Sequence, residues 1–166
     1  MRRAEREVTD RGQLLEIIGR CTCCRVAFSD PEGAYIVPLS FAFVPGQPDR
    51  FYFHGAKEGR KASLIAQKPK VGFELDCAYE LVAGQSGCKY SCRYQSIVGT
   101  GVIGEVQDLE EKKQAVYLIQ LTNHTWKKMN IPRKLRNDME IHLVKTQKKI
   151  LITNKKRAYL VDVSSL

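Results

Sequence analysis

The spacing of apolar positions changes along the chain. Leu14, Leu15, Ile17 and Ile18 follow Thr9-Asp10 at i, i+1, i+3 and i+4. That spacing predicts a short helix with one apolar face, capped at its start and ended by Gly19. From residue 24 the pattern becomes short runs of β-branched and aromatic residues. Runs 24–29, 34–44 and 50–54 read as strands, divided by the turns Asp30-Pro31-Glu32-Gly33 and Pro45-Gly46-Gln47-Pro48-Asp49. Pro38 removes a ladder donor, so its strand is expected at an edge or a bulge. With little helix between these strands, they should pair antiparallel.

A short helix is expected over 59–67, stopped by Lys68-Pro69, and then a strand over 71–76. Residues 78–91 are polar, carry Gly84 and Gly87, and read as a loop. A long strand with glycines follows over 94–106. A helix opens at Asp108-Leu109-Glu110-Glu111, its acids at the positive end, and runs through Val116, Leu118 and Ile119. Residues 122–137 read as irregular or weakly helical, and β-like runs 141–144, 150–153 and 159–163 close the chain. The sum is a single mainly β domain over 1–166 with peripheral helices, closed as a barrel to avoid long exposed edges.

Composition narrows this reading little: 166 residues with 43% hydrophobic and 27% charged describe an ordinary globular domain. No apolar run approaches a membrane span, and no apolar stretch follows Arg2-Arg3 as an export signal requires. A cytoplasmic protein is the expectation. Charge is uneven. Residues 1–119 carry 16 Lys and Arg against 15 Asp and Glu, whereas residues 120–166 carry 11 against 3. The first two-thirds thus give no electrostatic case for nucleic acid, and the basic tail reads first as a solvated face.

Six cysteines stand at 21, 23, 24, 77, 88 and 92. Without an export signal, free thiols are expected in preference to disulfides. The spacings C-x-C-C and C-x-x-x-C lack a paired zinc knuckle, so no metal site is expected. Gly99-Thr100-Gly101-Val102-Ile103-Gly104 satisfies G-x-G-x-x-G, yet it runs on into strand-like Glu105-Val106, with no acid in 118–125. A dinucleotide fingerprint needs a helix and that acid. These glycines are read instead as letting a strand bend or approach another surface.

The chemistry concentrates in Phe51-Tyr52-Phe53-His54-Gly55-Ala56-Lys57-Glu58-Gly59-Arg60-Lys61. A strand ends at His54, glycines loosen the turn, and Arg60 and Lys61 stand at the start of a helix. Arg60 offers a planar fork to phosphate oxygens and Lys61 a mobile point charge. Cations there oppose the helix dipole unless an anion sits between them. The plainer alternatives are a solvated basic pair and a hydrogen-bonded strand-end histidine.

These residues resemble the FMN-binding split-barrel superfamily that includes pyridoxamine 5'-phosphate oxidase, most closely its Nim-type, nitroimidazole-resistance-like branch. The resemblance begins at Arg2-Arg3 and Glu7-Val8-Thr9-Asp10. It continues through Cys21, Cys24-Arg25-Val26-Ala27-Phe28 and Tyr35-Ile36-Val37-Pro38-Leu39-Ser40-Phe41. It is strongest at Tyr52-Phe53-His54-Gly55-Ala56 with Gly59-Arg60-Lys61. It persists in Pro69, Val71, Phe73-Glu74, Asp76 and Tyr94-Gln95-Ser96-Ile97-Val98-Gly99-Thr100-Gly101.

The resemblance implies a six-stranded antiparallel split barrel and a homodimer with FMN at its interface. It implies that Gly59, Arg60 and Lys61 hold the phosphate, that Val37, Pro38, Leu39 and Ser40 run beside the isoalloxazine ring, and that His54, Gly55, Ala56 and Ser96 line the pocket. His54 is expected nearest the substrate, as ring contact or proton donor. An FMN-dependent oxidoreductase of nitroreductase type follows, loaded by NAD(P)H and acting on a small, electron-poor substrate. The alternative is a flavin- or haem-binding store or sensor without turnover. Beyond residue 120 the match loosens. Ile152-Thr153-Asn154-Lys155 has Asn where the family tends to Gly, and residues 158–166 extend past the usual end. Trp126 is open to either ligand stacking or packing.

Overall fold

The computed structural model describes residues 7–122, 139–146 and 151–155. Helix α1 (Arg11–Arg20) precedes strands β1 (Cys24–Asp30), β2 (Gly33–Leu39), β3 (Phe41–Val44) and β4 (Arg50–Ala56). Helix α2 (Arg60–Ala66), β5 (Lys70–Val82), a single 3-10 turn, β6 (Ser91–Glu105), α3 (Leu109–Thr122), β7 (Met139–Thr146) and β8 (Leu151–Lys155) follow. Among the described residues no helix is long and apolar enough to cross a membrane.

All described pairings are antiparallel, in the order β2-β1-β5-β6-β7-β4-β3, with β8 beside β6 off this path. The ends of that order explain the barrel. β2 and β3 are separated only by Ser40, so one bent run pairs β1 at one edge and β4 at the other. The described residues therefore hold eight strands, but the ring has six staves once β2 and β3 are joined and β8 is set aside. Pro38 lies on the β1 side of this run, opposite Arg25, where its missing donor disrupts no second ladder.

The interior is apolar. Val26, Phe28, Phe51, Phe53, Leu75, Ile97 and Ile103 are at most 1% exposed in one cluster. Ile65 of α2 and Leu14, Ile17 and Ile18 of α1 close over it. A second cluster sits outside the barrel, where Ala115 and Ile119 of α3 cover Ala42, Tyr52, Ile141 and Leu143. Tyr52 also donates from its hydroxyl to Glu111 at 2.7 Å.

Local chemistry fixes the element ends. Asp10 caps α1, its Oδ1 accepting from Gln13 N at 2.8 Å. Asp108 does the same for α3 through Glu111 N at 2.7 Å. Gly19 does not end α1, which continues through Arg20 to an extended Cys21. The expected loop at 78–91 begins only after Val82, because β5 and β6 continue as a twisted ribbon past a register shift between Cys77 and Glu80. Ala78, at φ +56°, carries that irregularity. Gly99 faces Phe73, and a Cβ built on it would lie 2.2 Å from Phe73 Cζ. The glycine-rich stretch is thus a close-approach site inside β6. Residues 123–137 with Trp126, and the expected run at 159–163, lie outside the described residues.

Candidate functional site

β4 brings the site to one end of the barrel. Its register with β7 pairs Phe51 with Val144, Phe53 with His142, His54 with Ile141 and Gly55 with Glu140. Side chains alternate along a strand, so Phe51, Phe53 and Gly55 share the interior face with Val144 and His142. Tyr52 and His54 fall on the other face with Leu143 and Ile141, toward α3. Ser40 directly precedes Phe41, whose register partner Phe53 directly precedes His54, so the bend and the end of β4 adjoin.

The two basic residues of α2 part company. Arg60 returns to the β1–β2 hairpin. Its Nε and Nη2 donate to Asp30 at 3.1 and 3.0 Å, Nη2 also meets Glu32 at 3.1 Å, and Cζ stands 4.7 Å from the Tyr35 ring centroid. This fork holds the Asp30 carboxyl below the usual carboxylate range. The guanidinium expected to hold an anion is therefore committed to two carboxylates. No spacing in sequence announces a pairing between residues 30 and 60.

Lys61 turns inward instead. A Cβ built on Gly55 would lie 2.5 Å from Lys61 Nζ, 3.0 Å from Lys61 Cε and 3.2 Å from His142 Nε2. The glycine leaves the space that the ammonium and the imidazole share. Burial pulls the Lys61 pKa down. Burial first, and Lys61 next, also pull the His54 imidazole down. The same two causes bring His142 to about 4.

His142 is a candidate site residue that the sequence reading missed. It is 1% exposed, and neither ring nitrogen has a hydrogen-bond partner. A buried polar group left in this state costs free energy unless something outside the described residues satisfies it. The available signal was a single histidine at an inward position of the apolar run Ile141-His142-Leu143-Val144.

The other predicted residues are placed unevenly. Val37 and Leu39 point inward from β2, Leu39 buried, while Pro38 is exposed and Ser40 sits at the bend. Ala56 is exposed, and Gly59 takes φ +101° before α2. Ser96 is buried but pairs with Asp76 and Thr153. It stands nine positions along β6 from Glu105, the register partner of His142, which is about 30 Å of strand. Within one chain it does not join His54. Open depressions lie to either side of the cluster. One of about 390 Å³ runs along α2 past Lys57, Gly59, Ser63 and Glu105, and one of about 670 Å³ lies against α3 at Arg50, Glu111 and Tyr117.

All six cysteines are free thiols. Among the described residues no three His, Cys, Asp or Glu side chains gather as metal ligands.

No curated protein matches the chain. Solved structures share its fold. A candidate 5-nitroimidazole antibiotic resistance protein from Bacteroides thetaiotaomicron superposes with a TM-score of 0.73 at 24% identity, covering 93% of this chain and 90% of that one. The FAD and heme binding protein from Mycobacterium smegmatis gives 0.74 at 16%, covering 95% and 77%. The flavocytochrome Anf3 from Azotobacter vinelandii gives 0.64 at 13%, covering 96% and 86%. The family model for pyridoxamine 5'-phosphate oxidase matches residues 10–147. A six-staved antiparallel barrel, with a histidine-glycine strand end leading into a basic helix, thus belongs to the pyridoxamine 5'-phosphate oxidase family of split barrels.

Proposed function

We propose that the chain is an FMN-dependent oxidoreductase of nitroreductase type, working as a homodimer with flavin at the interface. The observation that carries this reading is the half-buried Lys61 ammonium over Gly55, its pKa pulled down by burial, in a member of this family. The donor set suits an anionic group: one ammonium, an imidazole with orphaned nitrogens, and a glycine whose missing Cβ leaves room. It suits the phosphate of FMN.

In this reading Lys61 holds the phosphate, and the bend Val37-Pro38-Leu39-Ser40 borders the isoalloxazine ring. His54, with Ala56, faces the substrate side of β4. A bound flavin would supply the hydride and electron chemistry, and the protein orients it and shields it from water. Burial keeps His54 largely neutral near pH 7, so it can donate or accept one hydrogen bond at the substrate. Ser96, at the far end of β6, could serve such a pocket only from a second copy of the chain. The substrate class is small, flat and electron-poor, with a nitroimidazole as first choice and NAD(P)H as donor.

Turnover tests this directly. FMN-loaded protein should oxidise NADH or NADPH only when a nitroimidazole or a similar acceptor is present, and His54→Ala should lower kcat more than flavin affinity. Tight flavin binding with no reduction of any acceptor would favour the second reading, a flavin or haem store or sensor. Two compared structures are named as haem-containing, and His54 and His142 sit on adjacent strands. A Soret band on adding haem is the mark of that alternative.

A further inference from the structure

We infer that Cys21 and Cys77 form an oxidation site, a dithiol that a hydroperoxide converts to a disulfide tying the end of α1 to the β5–β6 ribbon. Two independent contacts bring these residues together across 56 positions of sequence. The carbonyl oxygen of Ile17 accepts from Cys21 N at 3.2 Å and from the Cys77 thiol at 3.9 Å. Beside them, Arg20 Nη2 donates to Gln95 Oε1, and Gln95 is the register partner of Cys77. The two thiols are themselves hydrogen-bond neighbours. Cys21 is 3% exposed, whereas Cys77 is half-buried and packs against the same core cluster. The register shift of β5 follows directly after Cys77, with Ala78 at φ +56°. Regular pairing is thus already interrupted where a new bond would pull on the strand.

The difference in exposure sets the order of events. Cys77 meets the oxidant first. Its thiolate sulfur attacks one peroxide oxygen and the O–O bond breaks, leaving Cys77 as the sulfenic acid. The departing alkoxide or hydroxide takes up the proton that the thiol has lost. The Cys21 sulfur then attacks the Cys77 sulfur, the S–O bond breaks, and water departs with the Cys21 proton. Two thiols lose two electrons in all, and the peroxide bond takes them up. Burial, with Cys77 beside it, pushes the Cys21 thiol up to about 12, which suits a shielded resolving group and not a first nucleophile. Other cysteines are placed differently: Cys24 is fully buried, and Cys88 and Cys92 lie at the far end of the ribbon. The new bond would pin α1, whose Leu14, Ile17 and Ile18 cover the barrel core, to the sheet it rests on.

The test treats the whole, folded chain with hydrogen peroxide, in a Cys88→Ser background that removes the exposed thiol. Peptide mapping without reduction should find Cys21 joined to Cys77 within one chain, with two free thiols lost per chain and recovered by dithiothreitol. The linked form should melt about 10 °C higher, the effect of closing a loop of this length in a chain of this size. In Cys21→Ala, dimedone should trap a sulfenic acid at Cys77, and no rise in Tm should follow. In Cys77→Ser, Cys21 should stay unoxidised. Peroxide that leaves both thiols free, a disulfide that favours Cys23, Cys24 or a second chain, or a Cys21–Cys77 link that forms only in urea would overturn the inference. If Cys21→Ala does not fold, mapping of the parent and of Cys77→Ser decides alone.

Discussion

Lys61 Nζ and His142 Nε2 share the space over Gly55, one coming from the helix that closes the barrel end and the other from the strand beside β4. The chain brings them together from 81 positions apart by threading β7 between β4 and β6. A half-buried ammonium and a buried imidazole thus meet at one end of the barrel.

Gly55→Ala is the most economical probe of that space. Gly55 is not in the left-handed region, so alanine meets no backbone strain. Its methyl would displace Lys61 Nζ from 2.5 Å and press on His142. FMN affinity should fall at least about tenfold, with a stability cost of about 1–3 kcal/mol from overpacking. Isothermal titration and thermal unfolding read the two effects separately, and an unchanged affinity would show that Lys61 does not work from this position.

Acid should destabilise the protein above the range where carboxylates titrate. Burial and Lys61 bring His142 down to about 4, against about 6.5 in the unfolded chain. The unfolded state therefore binds more protons between those values, and stability falls as pH drops from about 6.5 to about 4. Above that window the group contributes no slope, and below it the loss is complete, roughly 3 kcal/mol. His54, also lowered, adds in the same direction. Urea unfolding at several pH values should show a positive slope that His142→Phe reduces. A slope identical in the variant would contradict the buried neutral imidazole.

Gly99 tests the barrel interior. A Cβ there would lie 2.2 Å from Phe73 Cζ, inside a core that cannot yield easily. Gly99→Ala should cost about 1–3 kcal/mol or more. Phe73→Leu should recover part of that cost, so the double variant is less destabilised than the two singles combined. Strict additivity in a denaturation cycle would mean that the ring and the glycine do not oppose each other.

The thiols should differ sharply in reactivity. Burial, with Cys77 beside it, pushes Cys21 up to about 12, and burial raises Cys24 as well, whereas Cys88 is exposed. Alkylation of the native protein followed by peptide mass mapping should label Cys88 well before Cys21 or Cys24. Early labelling of Cys24 would contradict its packing in β1.

Much of this architecture was legible because it is local. The Asp10 cap, the hairpins, the edge position of Pro38 and the role of the β6 glycines each follow from a few neighbouring residues. What escaped depends on distant partners. The β5–β6 ribbon runs past residue 78 because each strand supplies the other's hydrogen bonds, although Tyr79 and Leu81 remain 68% and 63% exposed and give no apolar stripe. Ser40 divides a continuous β-like run because the chain must leave β1 for β4, a demand of closure. Arg60 and Lys61 look equivalent in sequence. Asp30 and Glu32 on one side, and Gly55 and His142 on the other, give them different work.

The most direct test of the account is a visible absorbance titration of purified wild type and Lys61→Ala with FMN. The account predicts a perturbed, bound-flavin spectrum saturating near one FMN per chain in the wild type. In Lys61→Ala it predicts affinity about tenfold to a hundredfold lower, the worth of a charge-assisted hydrogen bond to phosphate. A wild type that leaves the flavin spectrum unchanged, or a variant that binds FMN as tightly as the wild type, would contradict the claim that this barrel end holds the flavin's phosphate.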